Sequence, residues 1–140
     1  MKKIIYAIAT LFILISCESN ITNEDKIRGE EELLKMIHAW SNSDSLNNPT
    51  IREHYTDVLN EFLSHYPGNP EHENLLFLGA RNDMDRKEFA EAADKYARFS
   101  ALYPKSRSHA DALFGAGFLY HNEVKQLDSA KKYFEIFLLT

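Results

Sequence analysis

The sequence contains little glycine, little proline and a single cysteine, and these shortages narrow the structures it can form. Five glycines and four prolines are few for 140 residues, whereas Leu, Ala, Glu and Lys are common, which favours helices. No alternating run of Val, Ile and Thr follows residue 17, so a β-sheet is not expected. Apolar residues make up 44% of the chain and charged residues 26%, as in an ordinary folded domain. We predict one all-helical domain.

The chain also lacks an apolar segment long enough to cross a membrane comfortably. Its longest apolar run, residues 4–16, has 13 residues, whereas a spanning helix needs about 20. Because Lys2 and Lys3 precede this run, it has the organisation of a secretory signal peptide. Cys17 follows directly and, as the only cysteine, has no disulfide partner within the chain.

The residues around this cysteine, Leu14-Ile15-Ser16-Cys17, resemble the lipobox of bacterial lipoproteins. The resemblance implies cleavage before Cys17 and acylation of its thiol, with palmitate among the expected acyl groups. Several acyl chains anchor a protein to a membrane without spanning it. Two alternatives stay open, namely a signal peptide with an incidental cysteine and an uncleaved anchor.

Positive charge is scarce in the part of the chain that would remain after cleavage. Removing residues 1–16 removes two lysines and no acidic residue, so the net charge changes from −5 to −7. The chain has no cluster of Lys and Arg, and therefore we expect no nucleic-acid partner and no electrostatic docking on anionic lipid. Contact with a membrane is expected through the acyl chains on Cys17.

Apolar residues at helical spacing predict six helices in residues 30–140, after a polar, flexible tether at residues 17–29. Asn69-Pro70 predicts the start of the third helix, because proline suits the first helical position. Asp85 and Glu88 have the spacing of a capping box and predict the start of the fourth.

The helices form an internal repeat. Tyr66-Pro67 and Tyr103-Pro104 are 37 residues apart, and each ends an apolar helical run. The same shift aligns Trp40, Phe77 and Phe114, whereas the last helix aligns better at a shift of 38. We predict three units at about residues 30–67, 68–104 and 105–140, each a pair of helices.

Small and aromatic residues at fixed spacing make these units resemble the tetratricopeptide repeat. The residues that carry the resemblance are Leu76, Gly79, Ala80, Ala92, Tyr96, Phe99 and Pro104 in the second unit and Leu113, Ala116, Gly117, Tyr120, Ala130, Phe134 and Phe137 in the third. The second unit departs from the pattern at Asp83, where an aromatic residue is usual. The resemblance implies an all-α solenoid of about three helical hairpins.

Long linkers after Tyr-Pro, an aromatic-rich second helix and the lipobox together resemble the BamD-like and YbgF-like proteins of the bacterial envelope. This resemblance implies a lipid-anchored adaptor that binds a protein or peptide partner. It also implies a location at the outer membrane and a role in outer-membrane protein assembly. The face of the membrane is left open.

The sequence shows no pattern that indicates catalysis. None of the six histidines belongs to an HExxH motif, and no phosphate-binding glycine loop is present. Serine lacks the glycine context of a nucleophile elbow. We therefore predict a non-enzymatic protein with no metal site and no cofactor.

A binding groove is the better hypothesis. In tetratricopeptide arrays the first helix of each hairpin lines a concave groove, and eight residues correspond to it by position. They are Trp40, Asn74, Phe77, Arg81, Asp111, Phe114, Phe118 and His121. In a short array the aromatic ones can instead pack against neighbouring helices, and this alternative stays open. A second hypothesis is a self-associating structural protein whose C-terminal hairpin pairs with another copy.

Overall fold

The computed structural model describes residues 28–41 and 44–140, and within these ranges it confirms an all-α fold of helical hairpins without a β-strand. The elements are α1 (Glu30–Ser41), a short 3-10 helix (Asp44–Asn47), α2 (Pro49–His65), α3 (His72–Asp85), α4 (Phe89–Leu102), α5 (His109–Asn122) and α6 (Leu127–Phe137). None of these helices is both long and apolar enough to cross a membrane. The predicted signal peptide, Cys17 and most of the tether lie outside the described residues.

Each helix packs mainly on its neighbours in sequence, so that α1–α2, α3–α4 and α5–α6 form hairpins stacked in chain order. The contact between α4 and α5 is as extensive as the contact within the last hairpin, whereas α2 contacts α3 less. The core extends through all three hairpins. Its largest fully buried apolar side chains are Leu33, Ile37, Leu59, Phe62, Leu76, Phe99, Leu113 and Leu119.

The first described residue, Arg28, belongs to the predicted tether and is held against α2. Its guanidinium Nε lies 2.9 Å from a carboxylate oxygen of Glu61, and its backbone N–H donates to the other oxygen at 3.1 Å. The hydroxyl of Tyr66 donates to the Arg28 carbonyl at 2.8 Å. These hydrogen bonds with Arg28 lower the pKa of Glu61.

The two Tyr-Pro loops have the same backbone hydrogen bonds, which supports the repeat of 37 residues. The N–H groups of Tyr66 and Tyr103 each donate to a phenylalanine carbonyl four residues earlier, both at 2.9 Å. Asn69 Oδ1 accepts from the backbone N–H two residues later at 2.7 Å, and Ser106 Oγ does the same at 3.1 Å. The expectation that Asn69 caps α3 was wrong. It caps a turn, and α3 starts at His72.

The connections within the second and third hairpins also match, at a shift of 38. Lys87 and Lys125 both have positive φ, 64° and 62°, in the left-handed region that ends helices. The predicted capping box was wrong here, because Asp85 is the last residue of α3 and the Glu88 side chain makes no capping hydrogen bond. The chain reverses through the left-handed lysine instead.

A buried histidine joins the first two hairpins. His72 is fully buried, with Nε2 3.2 Å from the Leu63 carbonyl oxygen and Nδ1 2.6 Å from the Tyr103 hydroxyl. A carbonyl oxygen only accepts, so Nε2 carries the proton and Nδ1 accepts from Tyr103. Burial lowers the pKa of His72, and the nearby Arg98 cation lowers it further, against the opposing effect of the Leu63 bond.

We expect the free energy of unfolding to fall as the pH drops below about 6.5, the ordinary pKa of histidine. The unfolded chain takes up the proton first, because the pKa of His72 is lowered only in the folded state. Urea unfolding at pH 7.5 and pH 5.5 measures this. The His72→Gln variant should lose that part of the pH dependence. An equal pH dependence in both proteins would contradict the neutral, buried state of His72.

Candidate protein-interaction surface

Four phenylalanines on α5 and α6 form an aromatic cluster, which we call the phenylalanine surface: Phe114, Phe118, Phe134 and Phe137. Phe114 and Phe118 are one helical turn apart on α5, so they share a face, and their rings stack with centroids 6.2 Å apart. Phe134 and Phe137 of α6 contact Phe114 with centroids 6.1 and 5.7 Å away. Phe114 is 49% exposed and Phe118 43%.

The local sequence explains why α5 exposes these rings. Its other side already packs in the core through Ala112, Leu113, Ala116, Leu119 and Tyr120. Gly117 lets α6 approach, because a Cβ atom there would lie 2.9 Å from the Phe134 ring. α5 therefore has large apolar side chains on its exposed side as well as in the core.

The repeat makes Phe114 the counterpart of Phe77, and both make equivalent ring contacts. Phe77 meets Tyr96 and Phe99 edge-on at 5.3 and 5.2 Å, and Phe114 meets the counterparts of these rings, Phe134 and Phe137, in a tilted arrangement. Phe77 is nevertheless only partly exposed, and it packs on the core. Phe77 therefore packs against neighbouring helices, which is the alternative to a groove position that the sequence left open.

The remaining predicted groove residues lie in three places. Trp40 is partly buried and lines a cleft of about 300 Å³ together with Met36 and His54. Asn74 and Arg81 are exposed on α3 and line a cleft of about 500 Å³. Asp111 and His121 are exposed on α5, one three residues before Phe114 and the other three residues after Phe118. These last two therefore give the phenylalanine surface a polar rim.

Sequence reasoning did not include Phe134 and Phe137 in the groove, although the signal was present. They are the counterparts, at a shift of 38, of the two rings that contact Phe77. Because the repeat aligned Phe114 with Phe77, the same shift predicts their contact with Phe114. Both are only partly exposed.

The same end of the stack contains a polar atom without a partner. Nδ1 of His109 is buried and has no hydrogen-bond partner among the described residues. His109 is the counterpart of His72, whose Nδ1 accepts from Tyr103. The position 37 residues after Tyr103 is Thr140, whose hydroxyl donates to the Phe137 carbonyl instead. The contact between His72 and Tyr103, which links α3 to the end of α4, therefore has no counterpart between His109 and Thr140.

In residues 28–41 and 44–140, no group of three or more His, Cys, Asp and Glu side chains is placed to hold a metal ion. The phenylalanine surface offers apolar contacts to a binding partner, and polar side chains lie at its rim. Comparison of the chain with protein-family models, with curated proteins and with solved structures finds no match.

Proposed function

We propose that this protein is a lipid-anchored adaptor of the bacterial envelope, which binds a protein partner through its phenylalanine surface. The observation that carries the proposal is the pair of exposed, stacked rings of Phe114 and Phe118 on a helix whose other large apolar side chains are buried. Large apolar side chains that cluster on a surface are typical of interaction sites. The resemblance to BamD-like and YbgF-like lipoproteins supports a location at the outer membrane of the bacterial envelope. It also supports a non-catalytic role in assembly.

The surface favours an apolar segment of a partner protein. Burying apolar area contributes about 25 cal/mol per Å², and aromatic side chains dominate the energy of many interfaces. Phe134 and Phe137 support Phe114 from below, so that the exposed rings lose little side-chain freedom on binding. Asp111 and His121 at the rim provide polar contacts that set the orientation of the partner.

The proposed anchor determines where binding takes place. Acyl chains on Cys17 hold the domain on a membrane, while the polar residues that follow separate it from the lipid surface. An acidic domain without a basic cluster gains nothing from anionic headgroups. The phenylalanine surface is therefore available to a protein partner in the same compartment.

We expect the double variant Phe114→Ser/Phe118→Ser to lower partner binding about tenfold or more, which corresponds to about 1.4 kcal/mol. The measurement is photocrosslinking in native membranes from a photoreactive residue at position 121, compared between the original chain and the variant. Leu102→Ser is the matched control, because Leu102 is an apolar side chain of similar exposure, 50%, at the end of α4. A Cys17→Ser chain should in addition lose palmitate labelling and membrane association.

Two results would contradict the proposal. One is an unchanged crosslinking pattern in the Phe114→Ser/Phe118→Ser variant while its circular dichroism shows intact helices. The other is the same loss in the Leu102→Ser control, which would mean that any reduction of surface apolarity has this effect. Retention of palmitate and membrane association in Cys17→Ser would contradict the anchor alone.

A further inference from the structure

The outer side of α6 carries a symmetric row of four exposed side chains, which we call the α6 row: Leu127, Lys131, Glu135 and Leu139. They follow one another at intervals of four residues, so they lie along one side of the helix and its last turn. Leu127 is 63% exposed and Leu139 87%. Lys131 and Glu135 face each other at 3.8 Å, with side chains 74% and 64% exposed. Two exposed leucines thus flank an exposed ion pair.

We infer that α6 pairs antiparallel with α6 of a second copy of this chain. A two-fold axis between Lys131 and Glu135 places Leu127 opposite Leu139 of the partner subunit. It also places Lys131 opposite Glu135 of the partner subunit. Each contact then occurs twice, as an isologous interface requires. Each leucine then faces a leucine and each lysine faces a glutamate, over the about 18 Å that α6 and its last turn span.

Charge complementarity favours a second copy over another hairpin stacked on α6. On α4, which α5 covers, the counterparts of Lys131 and Glu135 at a shift of 38 are Ala93 and Ala97, and both are buried. Small residues of this kind allow two helices to approach closely. A hairpin stacked on α6 in the same way would bury Lys131 and Glu135, at a large desolvation cost. In the antiparallel pair the two charges lie beside the two-fold axis, and each faces an opposite charge of the partner subunit, which compensates for its desolvation.

The interface is small, and this determines the strength of the pairing. A helix of 11 residues is about 16 Å long, and stable interfaces usually bury about 800 Å² on each partner. The pairing is therefore weak in dilute solution. Confinement to a membrane raises the local concentration and makes it effective. This last step depends on the proposed anchor, but the pairing itself does not, and it does not use the phenylalanine surface.

Charge-reversal variants test the pairing, with the full chain reconstituted in phosphatidylcholine vesicles and energy transfer between donor-labelled and acceptor-labelled copies as the readout. Lys131→Glu alone places two carboxylates opposite each other at both contacts, and Glu135→Lys alone places two ammonium groups there. We expect each variant to reduce the specific energy transfer at least threefold. A mixture of the two variants should restore it, because every contact across the two-fold axis is then between Glu and Lys.

Lys105→Glu and Glu91→Lys are matched controls, because they make the same charge changes at exposed positions outside α6 and should leave the transfer unchanged. Phe114→Ser/Phe118→Ser should leave it unchanged as well, which separates this inference from the proposed function. Absence of transfer between copies of the original chain that are bound to the vesicles would overturn the inference. So would full transfer in Lys131→Glu, or no recovery in the mixture.

Discussion

Phe99→Ala is expected to destabilise the protein by about 3–5 kcal/mol, the usual cost of truncating a buried phenylalanine. Phe99 is almost completely buried, and its ring contacts Phe77 and Tyr103 with centroids 5.2 and 5.3 Å away. The cavity would lie in the central hairpin, which touches both of the others. Because whole domains are stable by only about 5–15 kcal/mol, this variant should be close to unfolding.

Urea unfolding of the original chain and the variant measures this loss. Phe114→Ala is the matched control, since it makes the same chemical change at a ring that is half exposed. It should cost about 1–2 kcal/mol, because roughly half of its apolar area is already in water. Tyr96→Ala, in the same interface as Phe99, should resemble Phe99→Ala. A loss below about 1 kcal/mol for both Tyr96 and Phe99 would contradict the register of the repeat.

Asp83→Ala is expected to cost about 3 kcal/mol, because it leaves the charge of Lys95 without its partner in a largely buried site. The Lys95 ammonium donates to the Asp83 carboxylate at 2.5 Å, and the two side chains are 16% and 3% exposed. The stem of Lys95 passes close over Gly79, where a Cβ atom would lie 3.3 Å from the Lys95 Cδ. We expect the lower end of the range for broken buried pairs, because Lys95 retains some contact with water.

The double variant Asp83→Leu/Lys95→Met should recover most of this loss, since apolar residues of similar volume often replace a buried ion pair at little cost. Asp85→Ala, two residues along the same helix and exposed, should change the stability by no more than about 0.5 kcal/mol. Urea unfolding of all three variants measures these differences in stability. Equal effects of Asp83→Ala and Asp85→Ala would show that the Asp83–Lys95 pair contributes nothing.

Asp83 also shows how far the sequence predicts the packing. The sequence identified this position as a departure from the repeat pattern, because an aromatic residue is usual there. It did not identify the partner, because Lys95 reads as an ordinary surface residue of the next helix. The ion pair depends on how closely α3 and α4 approach, and the absence of a side chain at Gly79 permits that approach.

The helix boundaries also show what the sequence predicts and what it does not. Apolar spacing predicted the six α-helices of the described residues, because a helical period reflects one buried face and needs no knowledge of the partner. The caps of α3 and α4 were wrong, because Asn69, Asp85 and Glu88 fit two local conformations equally well. The turn after Tyr66 and the left-handed Lys87 decided between them. Local chemistry permitted both outcomes, and the stacking of the hairpins selected one.

The sequence by itself determined the helical class and the length of the repeat, because both follow from local periodicity and from prolines that stop helices. It also aligned Trp40, Phe77 and Phe114 as equivalent residues. Only the tertiary structure decided that they differ in exposure. Phe77 packs on a core that the next hairpin covers from one side, where Gly115 lies against the Tyr96 ring. No described helix covers the corresponding side of Phe114, so the same residue at the same repeat position becomes a surface.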